Sequence, residues 1–140
     1  MAERGAARLT ETFHPVVVRN AAARSPVVLV CEHASNALPA RFGDLGIDAH
    51  VQDSHAAYDP GAAEVARRLS ARLGARLVEG GVSRLVYDCN RPPEAPDAIA
   101  AVSEIHRIPG NEGLSPAARH ARVEAVYTPF KHRLEAVLAD

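Results

Sequence analysis

The chain has 140 residues, 47% of them hydrophobic and 24% charged, which is enough to bury the core of one domain. Its formal net charge is -1 and it has no block of like charges, which disfavours a nucleic-acid or anionic-membrane partner. No apolar run approaches the roughly 20 residues that span a bilayer. The N-terminus lacks the apolar segment of a secretory signal, so we expect a cytoplasmic protein.

The first elements along the chain are an N-terminal arm and one strand. Residues 1–25 are mixed and polar and are predicted to form the arm, in which residues 16–18 are placed to form an edge strand. Residues 26–140 are predicted to form the rest of the domain. The apolar, β-branched run at 27–31 is typical of a central parallel strand that is covered on both faces. A long irregular connection is expected at 32–59.

A helix follows that connection. Asp59 is interpreted as its N-cap, with Pro60 at the first helical position. The helix is expected to run to about Leu73 and to end at Gly74. One face of it is apolar and is predicted to be buried, and that face consists of Ala62, Val65, Ala66, Leu69 and Leu73.

Two short strands are predicted next, at 76–78 and 84–87. The order strand, helix, strand favours a right-handed βαβ unit, and therefore an α/β fold with a mixed or mostly parallel sheet that helices cover. A second long loop is expected at 89–114. Ser115 then begins a final helix, which Pro129 should kink. Two long loops and only about three strands favour an incomplete domain.

Polar side chains follow the ends of two predicted strands, which is where ligands bind in open α/β sheets. After the first strand come Glu32, His33, Ser35 and Asn36, and after the other come Asp88, Asn90 and Arg91. Asp59, at the head of the helix, is placed to reach the same crevice. Taken singly, each has an ordinary structural role open to it, as a hydrogen-bonded histidine, a helix cap, a turn residue or a local ion pair.

Together these residues predict a site for a metal ion and an anion. A histidine and a carboxylate suit a divalent zinc ion. A neighbouring Asn-Arg pair suits an anionic substrate, because arginine offers a planar fork to a carboxylate. A metal ion beside a carboxylate anchor describes an amidohydrolase that acts on N-acyl amino acids.

Five segments occur in a recognisable order, namely CEHASNALP at 31–39, HAAYDPGA at 55–62, SRLVYDCNRP at 83–92, IPGNEGLS at 108–115 and YTPFKH at 127–132. They resemble the N-formylglutamate amidohydrolase family, also called N-formylglutamate deformylases. The resemblance implies an α/β fold similar to the zinc carboxypeptidases, with phosphorylase/hydrolase-like architecture. It also implies zinc-dependent hydrolysis of N-formyl-L-glutamate to formate and L-glutamate, late in histidine degradation.

The resemblance assigns the metal ligands and one catalytic residue. His33 matches the histidine of the first motif and is the expected zinc ligand. Asn36 stands where zinc carboxypeptidases place a glutamate ligand, so the second ligand must come from elsewhere, and Asp59 is the candidate. Arg84 is predicted to polarise the scissile carbonyl. Glu32 lies beside the site and is the candidate for acid/base catalysis.

The substrate-binding assignments rest on the same resemblance. Asn90 and Arg91 match the pair that grips the substrate carboxylate in carboxypeptidase-like enzymes. Ser35 and Asn36, beside the predicted metal ligand, are further candidates for substrate binding. The expected partner is therefore a small anionic N-acyl amino acid.

Members of this family are longer, and the resemblance places a further histidine ligand and an acid/base carboxylate in their downstream half. No such motif follows residue 115, so residues 26–140 are expected to be the N-terminal portion of the amidohydrolase domain. Two alternatives stay open. One is a metal-dependent hydrolase of another N-acyl amino acid or a peptide, and the other is a non-catalytic remnant that binds an anion. An incomplete sheet would expose an edge, so a homo-oligomer is a further open expectation.

Overall fold

A computed structural model describes residues 4–140 of the chain. The described strands are β1 (Leu9–Thr10), β2 (Val16–Arg19), β3 (Val28–Cys31), β4 (Leu38–Pro39), β5 (Arg76–Gly80), β6 (Val102–Ser103) and β7 (His106–Arg107). The described α-helices are α1 (Ala49–Gln52), α2 (Ala62–Leu73), α3 (Pro116–Arg122) and α4 (Thr128–Ala139). This mixture of strands and helices confirms the predicted α/β class.

The largest sheet has three strands in the order β2–β5–β3. The middle strand, β5, is parallel to β3 and antiparallel to β2, so the predicted mixed sheet is confirmed. The prediction that residues 27–31 form a central strand is wrong, since β3 lies at the edge of this sheet among residues 4–140. Val30 is accordingly 38% exposed. A continuous apolar run alone does not reveal what covers the strand.

Helix α2 directly precedes β5 and packs against both β3 and β5, but it turns a polar side toward the sheet. Arg67 donates to both carboxylate oxygens of the buried Glu79 on β5, at 2.7 and 3.1 Å, and Ser70 is buried beside them. Arg19 of β2 donates to the same carboxylate at 2.8 Å. A buried carboxylate requires partners of this kind. The prediction that the apolar side of α2 is buried is therefore wrong, and that side faces outward.

Residues 84–86 form a turn, and 84–87, where a strand was predicted, contain no strand. Ser83 holds this turn in place, because its carbonyl accepts a hydrogen bond from the amide of Val86 at 3.0 Å. The Ser83 hydroxyl donates to the carbonyl of Ala57 at 2.8 Å. The apolar side chains of the turn are buried among loops rather than in a sheet. The short apolar run at 85–87, with the β-branched Val86, therefore suggested the wrong backbone conformation.

The two long connections are ordered by a second core, which the loops themselves form. The first connection contains β4 and α1, and the second contains the β6–β7 hairpin. The buried apolar residues of this core come from both connections, from the turn between them and from the C-terminal helix, and include Leu38, Leu45, Val51, Leu85, Val86, Tyr87, Ile99, Ile108 and Val126. The buried Arg122 of α3 crosses this loop core and donates to Asn111 Oδ1 at 2.6 Å and to the Val86 carbonyl at 3.1 Å.

The C-terminal helices α3 and α4 are joined without a break by a π-helical turn, Val123–Tyr127. As predicted, Ser115 begins α3, and its hydroxyl accepts a hydrogen bond from the amide of Ala118 at 3.1 Å. The distortion expected at Pro129 takes the form of this π turn. Proline has no amide hydrogen and its ring crowds the preceding turn of a helix, so a wider turn relieves both problems.

The same C-terminal helix contributes to two cores. Val126 belongs to the loop core, whereas Phe130 and Val137 pack with Val78 against the three-stranded sheet. Leu138, near the end of the same helix, is exposed. Helix α4 thus covers one face of the sheet, and α2 lies against β3 and β5.

The predicted N-terminal arm is tied to the domain over its described part. Its residues 16–19 form the edge strand β2, and β1 pairs in parallel with β4. The Gln52 side chain donates to the Arg8 carbonyl at 2.8 Å and accepts from the Arg8 amide at 2.7 Å. Residues 1–3 of the predicted arm lie outside the described residues. No helix within residues 4–140 is both long and apolar enough to cross a membrane.

A close backbone approach at Gly80 fixes the end of β3. A Cβ atom at Gly80 would lie 2.2 Å from the carbonyl oxygen of Glu32, a distance at which the backbone would have to shift. Only glycine allows the end of β5 to come this near to the residue before His33.

We therefore expect Gly80→Ala to lower the free energy of unfolding by about 1–3 kcal/mol, because the new methyl group overpacks against backbone. Urea denaturation followed by circular dichroism measures this change. Gly5→Ala is the matched control, since its Cβ would meet only Ala49 Cβ at 3.9 Å. Equal stability of the two variants would contradict the proposed constraint.

Candidate functional site

His33 follows the end of β3, and its imidazole ring lies between two carboxylates. Ring atom Nε2 is 2.6 Å from Asp88 Oδ1, and Nδ1 is 3.3 Å from Asp59 Oδ2. The His33 side chain is only 14% exposed. Three separate parts of the chain, the end of β3, the segment before α2 and the turn after residue 87, therefore meet at this ring.

Arg84 completes the cluster. Its Nη1 is 3.0 Å from His33 Nδ1, and its Nη2 is 2.8 Å from Asp59 Oδ1. The guanidinium also donates to three backbone carbonyls of the preceding loop, those of His55, Ala56 and Tyr58. We define the Arg84 cluster as His33, Asp59, Arg84 and Asp88.

The hydrogen-bond partners of His33 assign its tautomer. Arg84 has only donors, so Nδ1 accepts in the neutral ring and Nε2 carries the hydrogen that points to Asp88. The hydrogen bond to Asp88 raises the pKa of His33 above its ordinary value of 6.5, although burial and the Arg84 charge oppose this. Asp59, on the other side of the ring, adds to the increase in the His33 pKa.

Asp88 is a site residue that the sequence-based assignments omitted. Its burial alone would raise its carboxyl pKa, but the hydrogen bonds from His33 and from the amide of Asn90 outweigh burial and lower that pKa. The Asn90 amide donates to the same oxygen, Oδ1, at 2.9 Å, which is the local turn that aspartate favours. In the sequence, the feature that could have identified Asp88 as a site residue was its position at the start of the DCNR turn.

Asp59 is not the N-cap of α2, so that interpretation is wrong. The N-cap is Gly61, whose φ of 85° lies in the left-handed region. The Asp59 carboxylate instead contacts His33 and Arg84, and its amide donates to the His33 carbonyl at 3.0 Å. A tertiary ion pair outweighed the local capping preference here.

Asn90 and Arg91 lie on the turn that begins at Asp88, next to the cluster. The Arg91 Nε donates to Asp97 at 2.9 Å and Nη1 donates to the Asn90 carbonyl at 3.3 Å. The Arg91 side chain is 42% exposed, so solvent reaches its guanidinium. The structure thus brings the predicted substrate-binding pair beside the predicted metal ligand, and their roles stay predictions.

Ser35 and Asn36 are engaged elsewhere. The Asn36 amide donates to the Gln52 carbonyl and to Asp53 Oδ1, both at 3.1 Å, which ties it to the end of α1. The Ser35 hydroxyl accepts from the Ala37 amide at 3.1 Å. Neither side chain forms a hydrogen bond with the Arg84 cluster within residues 4–140.

Glu32 and the cysteines complete the candidate groups near the site. Glu32 is partly buried directly before His33, so it stays a candidate for acid/base catalysis. Cys31 and Cys89 are free thiols. Burial raises the pKa of Cys31 and raises that of Cys89 to about 12, so neither thiol supplies a thiolate nucleophile near neutral pH.

The donor set can be compared with the needs of zinc. Catalytic zinc takes three protein ligands, usually nitrogen and oxygen atoms, and its histidine ligand usually donates its second nitrogen to a carboxylate. His33 Nδ1 and Asp59 fit two ligand positions, and Asp88 behind Nε2 fits the supporting carboxylate. No group of three His, Cys, Asp or Glu side chains within residues 4–140 is arranged to hold a metal. The Arg84 guanidinium contacts both of these ligand groups, His33 at Nδ1 and Asp59 at Oδ1.

The raised pKa of His33 should make the stability of the chain depend on pH. The folded state holds the ring proton more tightly than the unfolded chain does. The stabilisation is therefore present below pH 6.5 and is lost as the pH rises through the raised value. We expect the free energy of unfolding, measured by urea denaturation with a chelator present, to fall over this range.

Asp88→Asn removes the main cause of the shift, so this variant should lose that part of the pH dependence. Asp97→Asn is the control, because Asp97 is an exposed carboxylate paired with Arg91 and should leave the slope unchanged. Identical slopes for the original chain and Asp88→Asn would show that this contact does not hold the proton.

Comparison with known proteins identifies the family of this chain. The family model for N-formylglutamate amidohydrolase matches residues 25–140. The fold is similar to the crystal structure of gene product Atu2144 from Agrobacterium tumefaciens, with 55% identity and a TM-score of 0.86. That match covers 89% of this chain and 49% of the other, so the chain spans about half the length of this relative. The comparison with curated proteins gave no match. The chain belongs to the N-formylglutamate amidohydrolase family.

Proposed function

We propose that the chain carries part of the active site of a hydrolase that cleaves N-formyl or N-acyl amino acids. The named reaction of its family converts N-formyl-L-glutamate and water into formate and L-glutamate. The observation that supports this proposal is the convergence of His33, Asp59, Asp88 and Arg84 beside the Asn90-Arg91 turn. Three of the five motifs that carry the family resemblance contribute to that convergence, namely those at 31–39, 55–62 and 83–92.

Arg91 is proposed to bind the substrate carboxylate. Asp97 holds its Nε and the Asn90 carbonyl holds Nη1, which orients the fork. Its Nη2 makes no hydrogen bond to another residue within 4–140, so this group is free for an anion. Asn90 is proposed to add a neutral amide donor.

Arg84 is proposed to steady the oxygen on which negative charge develops. A guanidinium has five N–H groups, and Arg84 uses those on Nε and Nη2 for the loop carbonyls and Asp59. Its Nη1 contacts His33 Nδ1, the atom proposed to hold zinc, so with that lone pair taken by the metal the Nη1 hydrogens would be available to a substrate oxygen. A donor fixed in this way needs little reorganisation when the charge appears.

His33 and Asp59 are proposed to hold zinc, with Asp88 keeping the His33 ring oriented. If bound by these residues, zinc would supply Lewis-acid chemistry, polarisation of the acyl oxygen and a lowered pKa of a water molecule. Asp88 accepts the Nε2 hydrogen, so Nδ1 keeps its lone pair toward Asp59 and Arg84. Glu32 is the proposed acid/base residue beside this group.

A second candidate function is anion binding without catalysis. It is favoured by one observation, the absence within residues 4–140 of a third ligand beside His33 and Asp59. In that case the Arg84 cluster is a permanent ion-pair network, and the anion binds at Arg91. The content of zinc distinguishes the two functions.

We expect the chain to bind zinc and His33→Ala to weaken that binding by more than about 100-fold. Asp88→Asn should cost roughly 10–100-fold, the usual effect of losing the partner of a ligand. Titration calorimetry measures the affinity, and His120→Ala, at an exposed histidine, is the control. Zinc binding that His33→Ala leaves intact, or no zinc binding at all, would favour the second candidate.

We expect Arg91→Ala to weaken binding of L-glutamate, the proposed product, by about tenfold or more. A charge-assisted hydrogen bond contributes about 1.5–3 kcal/mol, which corresponds to that loss. Calorimetry with L-glutamate gives the Kd, so this measurement does not require turnover. Arg133→Ala, at an exposed arginine of α4, should change nothing, and an unchanged Kd in Arg91→Ala would refute the assignment.

A further inference from the structure

The strand β3 and the outward side of α2 form a continuous apolar surface. Of the nine large apolar side chains exposed within residues 4–140, five lie on it, and we call these five the β3–α2 face. They are Val27, Val30, Val65, Leu69 and Leu73. Val65 is 59% exposed and Leu69 is 42% exposed, which is unusual for one cluster.

A groove of about 520 Å³ runs between the strand and the helix. Its walls are apolar throughout and contain no charged residue: Leu29, Val30, Cys31, Pro60, Gly61, Ala62, Val65, Ala66 and Leu69. Such a lining selects apolar side chains and offers nothing to a phosphate or a carboxylate. The occupant is therefore an apolar surface.

The backbone of β3 adds a second requirement. One edge of this strand pairs with β5, and no strand within residues 4–140 pairs with the other edge. Unpaired strand edges readily accept a further strand. The best occupant is therefore a polypeptide that brings both a strand for this edge and apolar side chains for the groove.

Buried contacts with the sheet determine which side of α2 is exposed. Arg67 is held on the buried carboxylate of Glu79, and Ser70 is buried on the same side of the helix. The helix cannot rotate its apolar side inward without breaking that buried ion pair, which is costly. The exposed side is thus maintained by the core itself.

We propose that the β3–α2 face binds a polypeptide equivalent to the unmatched half of the Agrobacterium tumefaciens gene product. That chain is 55% identical over the shared part and only 49% of it is matched here, so it contains about as much polypeptide again. This proposal does not depend on which reaction the family site performs.

The test co-expresses the 140-residue chain with the unmatched half of the Agrobacterium gene product, so the two polypeptides meet while folding. We expect a 1:1 complex by size-exclusion chromatography with light scattering. Hydrogen exchange at the amides of β3 should be slower in the complex than in the chain alone. Val65→Lys and Leu69→Lys, both at exposed positions, should each reduce the yield of complex at least tenfold.

Ile105→Lys is the matched control, because Ile105 is a 91% exposed apolar residue outside this face and should leave the complex intact. Recovery of the chain without the second polypeptide would overturn the proposal. A complex that survives both lysine substitutions would overturn it too. So would a symmetric dimer of the chain that covers the β3–α2 face and excludes the second polypeptide.

Discussion

The guanidinium of Arg84 holds the site together. It binds three carbonyls of one loop, those of His55, Ala56 and Tyr58. It also binds the Asp59 carboxylate at the end of that loop and the ring nitrogen of His33. Without this cation, Asp59 and the loop carbonyls would face one another with no positive charge between them. The loop before α2 therefore takes its conformation from a residue almost thirty positions later, and the geometry around His33 follows from that loop.

The site lies where two differently built cores meet. The three-stranded sheet, covered by α4, fixes β3 and hence the backbone of His33. The loop core, crossed by Arg122, fixes the turns that carry Arg84 and Asp88. Burial lowers the pKa of Arg122 to about 10, yet Arg122 remains charged near neutral pH and satisfies loop carbonyls. The site residues thus rest on structural elements of both kinds.

The sequence predicted correctly those elements that are determined by interactions between residues close together in the chain. The Ser115 cap, the start of α3 and the strand after Pro26 follow from side-chain chemistry within a few residues. The predictions were wrong where contacts with residues distant in the sequence determine the structure. Asp59 was read as a cap because Arg84 cannot be seen beside it in sequence, and α2 was turned the wrong way because Glu79 lies on another strand.

The site residues were predictable as a group more than one by one. His33, Asp59 and Arg84 were chosen from separate motifs, and the structure places them in contact. Asp88 was passed over although it makes the shortest contact to His33, because an aspartate at the start of a turn has an ordinary explanation. Ser35 and Asn36 were chosen for their nearness in sequence, but their side chains point to other partners.

The π turn at Val123–Tyr127 has a consequence for how this chain tolerates change. An α-helix turns by about 100° per residue, so the one extra residue in the π turn sets the angular offset between the two halves of the C-terminal helix. Val126 and Phe130 face different cores because of that offset. Deleting a single residue there would leave a regular helix, yet it would rotate Phe130 away from the sheet. The π turn therefore allows one continuous helix to place Val126 in the loop core and Phe130 against the sheet.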